Sequence, residues 1–172
     1  MIKDSKVERQ PDAKPPSSSP CYLDDADPAY QGYLVRDEVL EILNELLEAE
    51  RAGAKVARTM AKAGGGPVGD ALAELAVDEA RCCAMLARHV KRLQAEPSQR
   101  TGGFKNKVLA LGSADDRLRL LNRGQEWVVR KLKDALPRIS DESLHHDLVE
   151  MLEVHENNIR RCDDLIHPSA GR

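Results

Sequence analysis

Apolar residues recur at helical spacing over four long stretches of this chain, separated by Gly- and Pro-rich breaks. The first stretch covers 36–63, with Leu40, Leu43, Leu47, Ala54 and Ala61 on one face. The GGGP run at 64–67 ends it. The second covers 68–94, with Leu72, Leu75, Leu86, Val90 and Leu93 aligned. A link over 95–112 holds Pro97, Gly102 and Gly103, then a candidate short helix at 104–111. Ser113 can cap the third long helix, with Asp115 and Asp116 favourable in its first turn. That helix carries Leu118, Leu121, Val128, Val129, Leu132 and Leu136, and stops at Pro137. Ser140 is the predicted cap of the fourth, whose face is Leu144, Leu148, Met151, Leu152, Ile159, Cys162 and Ile166.

This order predicts an all-α protein, an antiparallel four-helix bundle over 36–166. The middle link has about 18 residues. At about 3.3 Å per residue it can run the length of a roughly 40 Å bundle. Its length therefore leaves two topologies open, simple up-and-down or one with a long crossover.

Three ionisable residues break the apolar stripes. At about 100° per residue, Glu50 falls at the centre of the first arc, Glu79 in the second and His155 in the fourth. On the third helix Gln125 lies within the arc and Glu126 at its edge. The expected helix midpoints lie near positions 50, 81, 125 and 154, so these polar residues share one depth. Charged groups such as Glu48, Asp78, Glu153 and Arg160 fall on opposite faces and read as solvated surface. Carboxylates and an imidazole inside a core are costly unless paired or bound to metal. Such a cluster suits iron, manganese or zinc. A closed hydrogen-bonded network sharing a proton is the metal-free alternative.

Composition narrows the classes of function. The chain has 172 residues, 41% apolar and 32% charged, with a net charge of −3. That balance gives no electrostatic case for nucleic acid. Three Tyr, one Phe and one Trp are too few for base-stacking surfaces. No apolar run approaches the roughly 20 residues that span a bilayer. The N-terminal MIKDSKVERQ is polar and unlike a secretory signal. Cys21, Cys82, Cys83 and Cys162 form no disulfide-framework pattern and read as reduced thiols. The expectation is a cytoplasmic protein. Residues 1–35, with QPDAKPPSSSP and Tyr22, Tyr30 and Tyr33, read as a tail or a partner-binding arm. Residues 167–172 read as a second, short tail.

Within the helices, LNELLEAERAGA (43–54) resembles the first helix of bacterioferritin- and rubrerythrin-type ferritin-like proteins. DEARCCAML (78–86) resembles the second, QEWVVRKL (125–132) the third and MLEVHENNIRRCDDLI (151–166) the fourth. The resemblance covers about residues 36–166 and fits a bacterial branch of that group other than the storage ferritins. It implies metal ligands at Glu50, Glu79, Glu126 and His155. The full di-metal set has a Glu from each of two helices and a Glu-x-x-His from each of the other two. Here Cys82 stands where the second helix should have its His, and Leu152 where the fourth should have its Glu. Four of six ligands plus a thiol imply one ion, iron or manganese before zinc, or a site without metal.

Two function classes follow. One is a metal-handling or oxidative-stress protein built on the polar centre. The other is a non-catalytic bundle, a scaffold or accessory subunit that binds a protein partner through residues 1–35. A homodimer through exposed apolar positions such as Leu120 and Val149 is a third expectation. The remaining candidates, Cys82 and Cys83 as redox thiols and His145–His146 as a surface metal site, read as packing and solvated side chains.

Overall fold

The computed structural model describes residues 32–167. Most of the expected N-terminal arm, with Cys21, Tyr22 and Tyr30, lies outside the described residues, as do residues 168–172. Within them the chain forms α1 (Arg36–Gly64), α2 (Gly66–Arg92), a short α3 (Phe104–Leu109), α4 (Ala114–Ala135) and α5 (Glu142–Ile166). A single 3₁₀ turn, Leu136–Arg138, holds Pro137 after α4. No strand occurs among the described residues.

The ends of the helices follow from local chemistry. Glu38 accepts the Val35 N–H at 3.0 Å to close the start of α1. Gly65 and Gly66, with φ of +60° and +55°, turn the chain from α1 into α2. Ser113 caps α4 as predicted, accepting from Asp116 N–H at 3.0 Å. The cap of α5 is Asp141, not Ser140: its carboxylate accepts the Leu144 N–H at 2.8 Å. Aspartate and serine are comparable caps, but Asp141 also meets Arg92 at 2.8 Å, which only a carboxylate can do with full charge.

Packing settles the topology that link length left open. α1 packs on α2 and α4, and α5 packs on the same two, so α1–α5 and α2–α4 are the diagonals of the square. Arg88–Asp147 and Arg92–Asp141 pair the end of α2 with the start of α5, while Glu74–Arg161 pairs the opposite ends. Those two helices are therefore antiparallel. Lys131–Glu45 and the shared contacts of Leu118 and Leu121 with Val56 and Ala57 make α1 and α4 antiparallel as well. α2 thus ends at the opposite end of the bundle from the start of α4. The 93–113 link crosses the bundle's length along α1. Asn44 and Glu48 hold Ser98 by its N–H at 2.8 Å and its hydroxyl at 2.5 Å, and Arg51 donates to the Ser98 carbonyl. Glu48, expected on the solvated face, is half-buried because this link covers it.

The core falls into two apolar clusters. One gathers Leu43, Leu46, Leu47, Leu86, Val90, Leu132, Leu144 and Leu148 towards the start of α1. The other gathers Val56, Ala57, Met60, Leu72, Leu75, Leu118 and Leu121 towards its end. Each fully buried leucine contributes about 1.5–3 kcal/mol of transfer free energy. Glu50, Glu79, Gln125 and His155, all at most 3% exposed, lie between the clusters. Leu120 and Val149, offered as exposed dimer positions, are half-buried against these clusters. Among the described residues no helix is long and apolar enough to cross a membrane.

Candidate metal centre

The four polar side chains at the centre, Glu50, Glu79, Gln125 and His155, come one from each helix of the square. Glu50 and His155 meet across one diagonal: His155 Nε2 lies 2.9 Å from Glu50 Oε1. Gln125 and Glu79 meet across the other, with the Gln125 amide donating to Glu79 Oε1. These helices share no direct backbone contact, so only long side chains can close the gap. Aliphatic residues would fill it equally well, but without directional bonds.

The proton positions follow from the partners. His155 Nδ1 lies 2.9 Å from the Met151 carbonyl, which can only accept, so Nδ1 carries hydrogen. Nε2 is then the atom presented to Glu50. Burial opposes a charge on this ring, but the Glu50 carboxylate, by charge and hydrogen bond, and the Met151 carbonyl raise its pKa above 6.5. Glu79 is pushed well above the usual carboxylate range, first by burial and then by the Glu50 charge; the Gln125 N–H opposes this only in part. The second oxygens of both carboxyls, and the Gln125 carbonyl oxygen, have no hydrogen-bond partner.

Glu79 owes its position to a glycine. A methyl group on Gly53 would lie only 2.7 Å from the Glu79 carboxyl carbon. The carboxyl therefore lies directly against the α1 backbone, one turn after Glu50. A Gly inside a helix costs about 1 kcal/mol against Ala, and that cost is the sequence signal for a close approach here.

Glu50, Cys82 and His155 offer one ligand atom each within 4.8 Å of one another, and all three are buried. Cys82, from α2, fills the place the resemblance assigned to a histidine. Burial, then the Glu50 and Glu79 charges, push its thiol pKa up. A cation among these groups would reverse that bias, because a metal stabilises the thiolate. Glu79 and Glu126 lie outside this three-residue group. Glu126 is half-buried, and Gln125 takes the core-facing position of α4. One residue is about 100° of helix turn, so only one of the two can face the centre. Leu152, where a second di-metal Glu would stand, is also half-buried.

A cavity of about 370 Å³ leads to this centre between α1, α4 and the link. Glu50, Glu79 and Gln125 form its polar floor; Ala52, Leu121, Val128, Trp127 and Phe104 are among its apolar walls. Cys83 is half-buried with its pKa raised to about 12, chiefly by burial, and Cys162 is core with its pKa raised to about 11.

A second buried histidine escaped the sequence reading. His89 is 2% exposed, with Nε2 2.6 Å from Asp147 Oδ2 and Nδ1 accepting from Arg92 at 3.1 Å. Arg88 joins the same aspartate at 2.7 Å. The signal was its place on the α2 stripe, three residues after Leu86. His145 and His146 are exposed, and His146 pairs with Glu150 at 3.2 Å.

Comparison with solved structures places the fold. The chain is similar to a crystal structure described as ferritin-like, diiron-carboxylate proteins from Bacillus anthracis str. Ames. The TM-score is 0.66 at 16% identity, over 77% of this chain and 97% of that one. The fold is thus a ferritin-like helical bundle, as the helix motifs implied. No curated protein matches the chain. The model of the family described as "Domain of unknown function (DUF6306)" matches residues 37–164, nearly the whole bundle, and the chain belongs to that family.

Proposed function

We propose that this protein holds one transition-metal ion at the bundle centre, with Glu50, Cys82 and His155 as its ligands, and serves in metal handling or oxidative-stress chemistry. The observation that carries this reading is the convergence of those three donor atoms, from three helices, in a buried space. The unpartnered Glu50 Oε2 is a donor atom that no group of the protein satisfies. A carboxylate, an imidazole and a thiolate fit iron or zinc better than manganese, because sulfur is the softer donor. Two ions do not fit, since Cys82 and Leu152 replace ligands of the paired site.

Iron there would supply redox chemistry towards oxygen or peroxide, and zinc would supply Lewis acidity. The protein's own groups supply the rest. The Met151 carbonyl fixes the His155 ring so that Nε2 faces the centre. Glu79, its pKa raised by burial and the Glu50 charge, is an acid group able to give or take a proton beside the site. The apolar cavity walls limit water while leaving a path for a small molecule. A thiol ligand requires a reducing compartment, which supports a cytoplasmic setting.

The test is elemental analysis of untagged protein for iron, manganese and zinc. Wild type should hold about one ion per chain, before or after incubation with Fe²⁺ or Zn²⁺. Glu50→Ala and Cys82→Ala should each lower occupancy at least tenfold, with circular dichroism confirming the fold. Folded wild type that carries and takes up no metal overturns the reading. Occupancy unchanged in both variants overturns the ligand assignment.

A further inference from the structure

A metal ion needs no apolar chamber of about 370 Å³, yet one opens onto Glu79 and Gln125. We propose that this cavity binds a small primary amine, its ammonium on Glu79 and Gln125 and its apolar body between the walls of α1, α4 and the link. Glu50, a proposed metal ligand, borders the cavity, but the head group's own partners, Glu79 and Gln125, are not among those ligands, and the proposal stands with or without an ion.

The floor chooses the head group. Glu79 Oε2 and Gln125 Oε1 are buried atoms with no partner; the amide oxygen accepts, and the carboxyl oxygen accepts once Glu79 is ionised. Gln125 gives one of its two amide N–H groups to Glu79 Oε1, and its carbonyl oxygen stays open. A head that donates hydrogen bonds satisfies both open oxygens at once. A carboxylate or a carbonyl head would add acceptors to acceptors.

Charge points the same way. Two carboxyls, Glu50 and Glu79, share the centre with one imidazole. His155 matches Glu50 at 2.9 Å, and nothing cationic matches Glu79, whose carboxyl is biased towards its neutral form in the free protein and would exchange its proton for a bound ammonium. A divalent ion on Glu50 and the Cys82 thiolate would be neutral as a group and would still leave Glu79 unmatched. An ammonium supplies the missing charge along with two or three N–H donors.

The walls choose the body. Ala49, Ala52, Leu120, Leu121, Val128 and the rings of Phe104 and Trp127 offer apolar surface. The volume lies at the lower end of the roughly 300–1,000 Å³ of small-molecule sites. It takes a short alkyl chain or one aromatic ring. Gly124 leaves the Phe104 ring its place, since a Cβ there would lie 3.0 Å from Cζ. Arg123 lines the cavity but is exposed, where water and salt weaken its repulsion of a cation.

Trp127 is the chain's single tryptophan, so its fluorescence reports on the cavity wall directly. The experiment titrates full-length, chelator-treated protein with 2-phenylethylamine, 2-phenylethanol and phenylacetate, three probes of similar body and different head. The amine should bind at least tenfold more tightly than the alcohol, and phenylacetate more weakly than either. Gln125→Leu should weaken amine binding about tenfold, and Ala49→Leu, which narrows the cavity, should weaken all binding. Equal binding of amine and alcohol, or no binding of the amine, overturns the proposal even if neither variant folds. Amine binding undiminished in folded Ala49→Leu also overturns it. The metal reading fails separately, through elemental analysis, and leaves this titration unaffected.

Discussion

A glycine in the interior of a 29-residue helix is a cost unless something needs its space. By helix propensity alone, Gly53→Ala should stabilise α1 by about 1 kcal/mol. The Glu79 carboxyl occupies the volume the new methyl would take. That carboxyl is held by Gln125 and cannot simply swing away. Overpacking of this kind costs about 1–3 kcal/mol, so the net change should be a loss of up to about 2 kcal/mol instead of that gain. In a Glu79→Ala background the obstacle is gone, and the same substitution should become neutral or stabilising. Urea unfolding of the four proteins of this cycle measures the coupling. Additive single changes would mean that the two residues do not touch. At this scale the sequence disclosed Glu50, Glu79 and His155 because they interrupt apolar arcs. Helix phase put Gln125 inside its arc and Glu126 only at the edge; the resemblance, not the phase, gave Glu126 the ligand role, and packing turns Gln125 to the centre. The sequence did not mark His89, whose single polar ring on a stripe looks like any half-solvated position until Asp147 arrives from α5.

Helix ends show how far local chemistry carries. The Ser113 cap was legible because a serine precedes two aspartates and an apolar stripe. At α5 two adjacent candidates, Ser140 and Asp141, follow the same local rules. The choice depends on Arg92 from the end of α2, 49 positions away in the chain, reaching Asp141 at 2.8 Å. Asp141→Ala should therefore cost about 1 kcal/mol from the lost cap, while Ser140→Ala should change stability by a few tenths at most. Thermal unfolding of the two variants decides this, and a larger loss for Ser140→Ala would move the cap. The link between α2 and α4 was illegible for a related reason. Eighteen residues can cross or loop, and the outcome rests on Asn44, Glu48 and Arg51 gripping Ser98, a contact between segments about 50 residues apart.

For the whole molecule, pH sets two layers of charge against each other. At the start of α5, Asp141 and Asp147 are held below the usual aspartate range, by hydrogen bonds from Arg92 and His89 respectively before any other favourable contact. Their contribution is present above about pH 3.8 and is lost as pH falls through their lowered values. At the centre the signs reverse. Glu79 and His155 are both raised, so their protonated forms favour the folded state. That contribution is complete below about pH 4.5 for Glu79 and about pH 6.5 for His155. It is lost as pH rises through each folded value. Chelator-treated protein should therefore be most stable in mild acid, with a melting temperature that falls between about pH 5 and pH 8. Glu79→Gln should flatten the descent from its acid side, since glutamine keeps the shape without the charge. His155 would still give the part above about pH 6.5. Metal-loaded protein should show the opposite slope, because ligands lose protons to bind an ion. A melting temperature that rises with pH in the chelator-treated protein would mean that the buried carboxyl of Glu79 is ionised and paired in the free state. An identical slope with and without metal would mean that no ion reaches Glu50, Cys82 and His155.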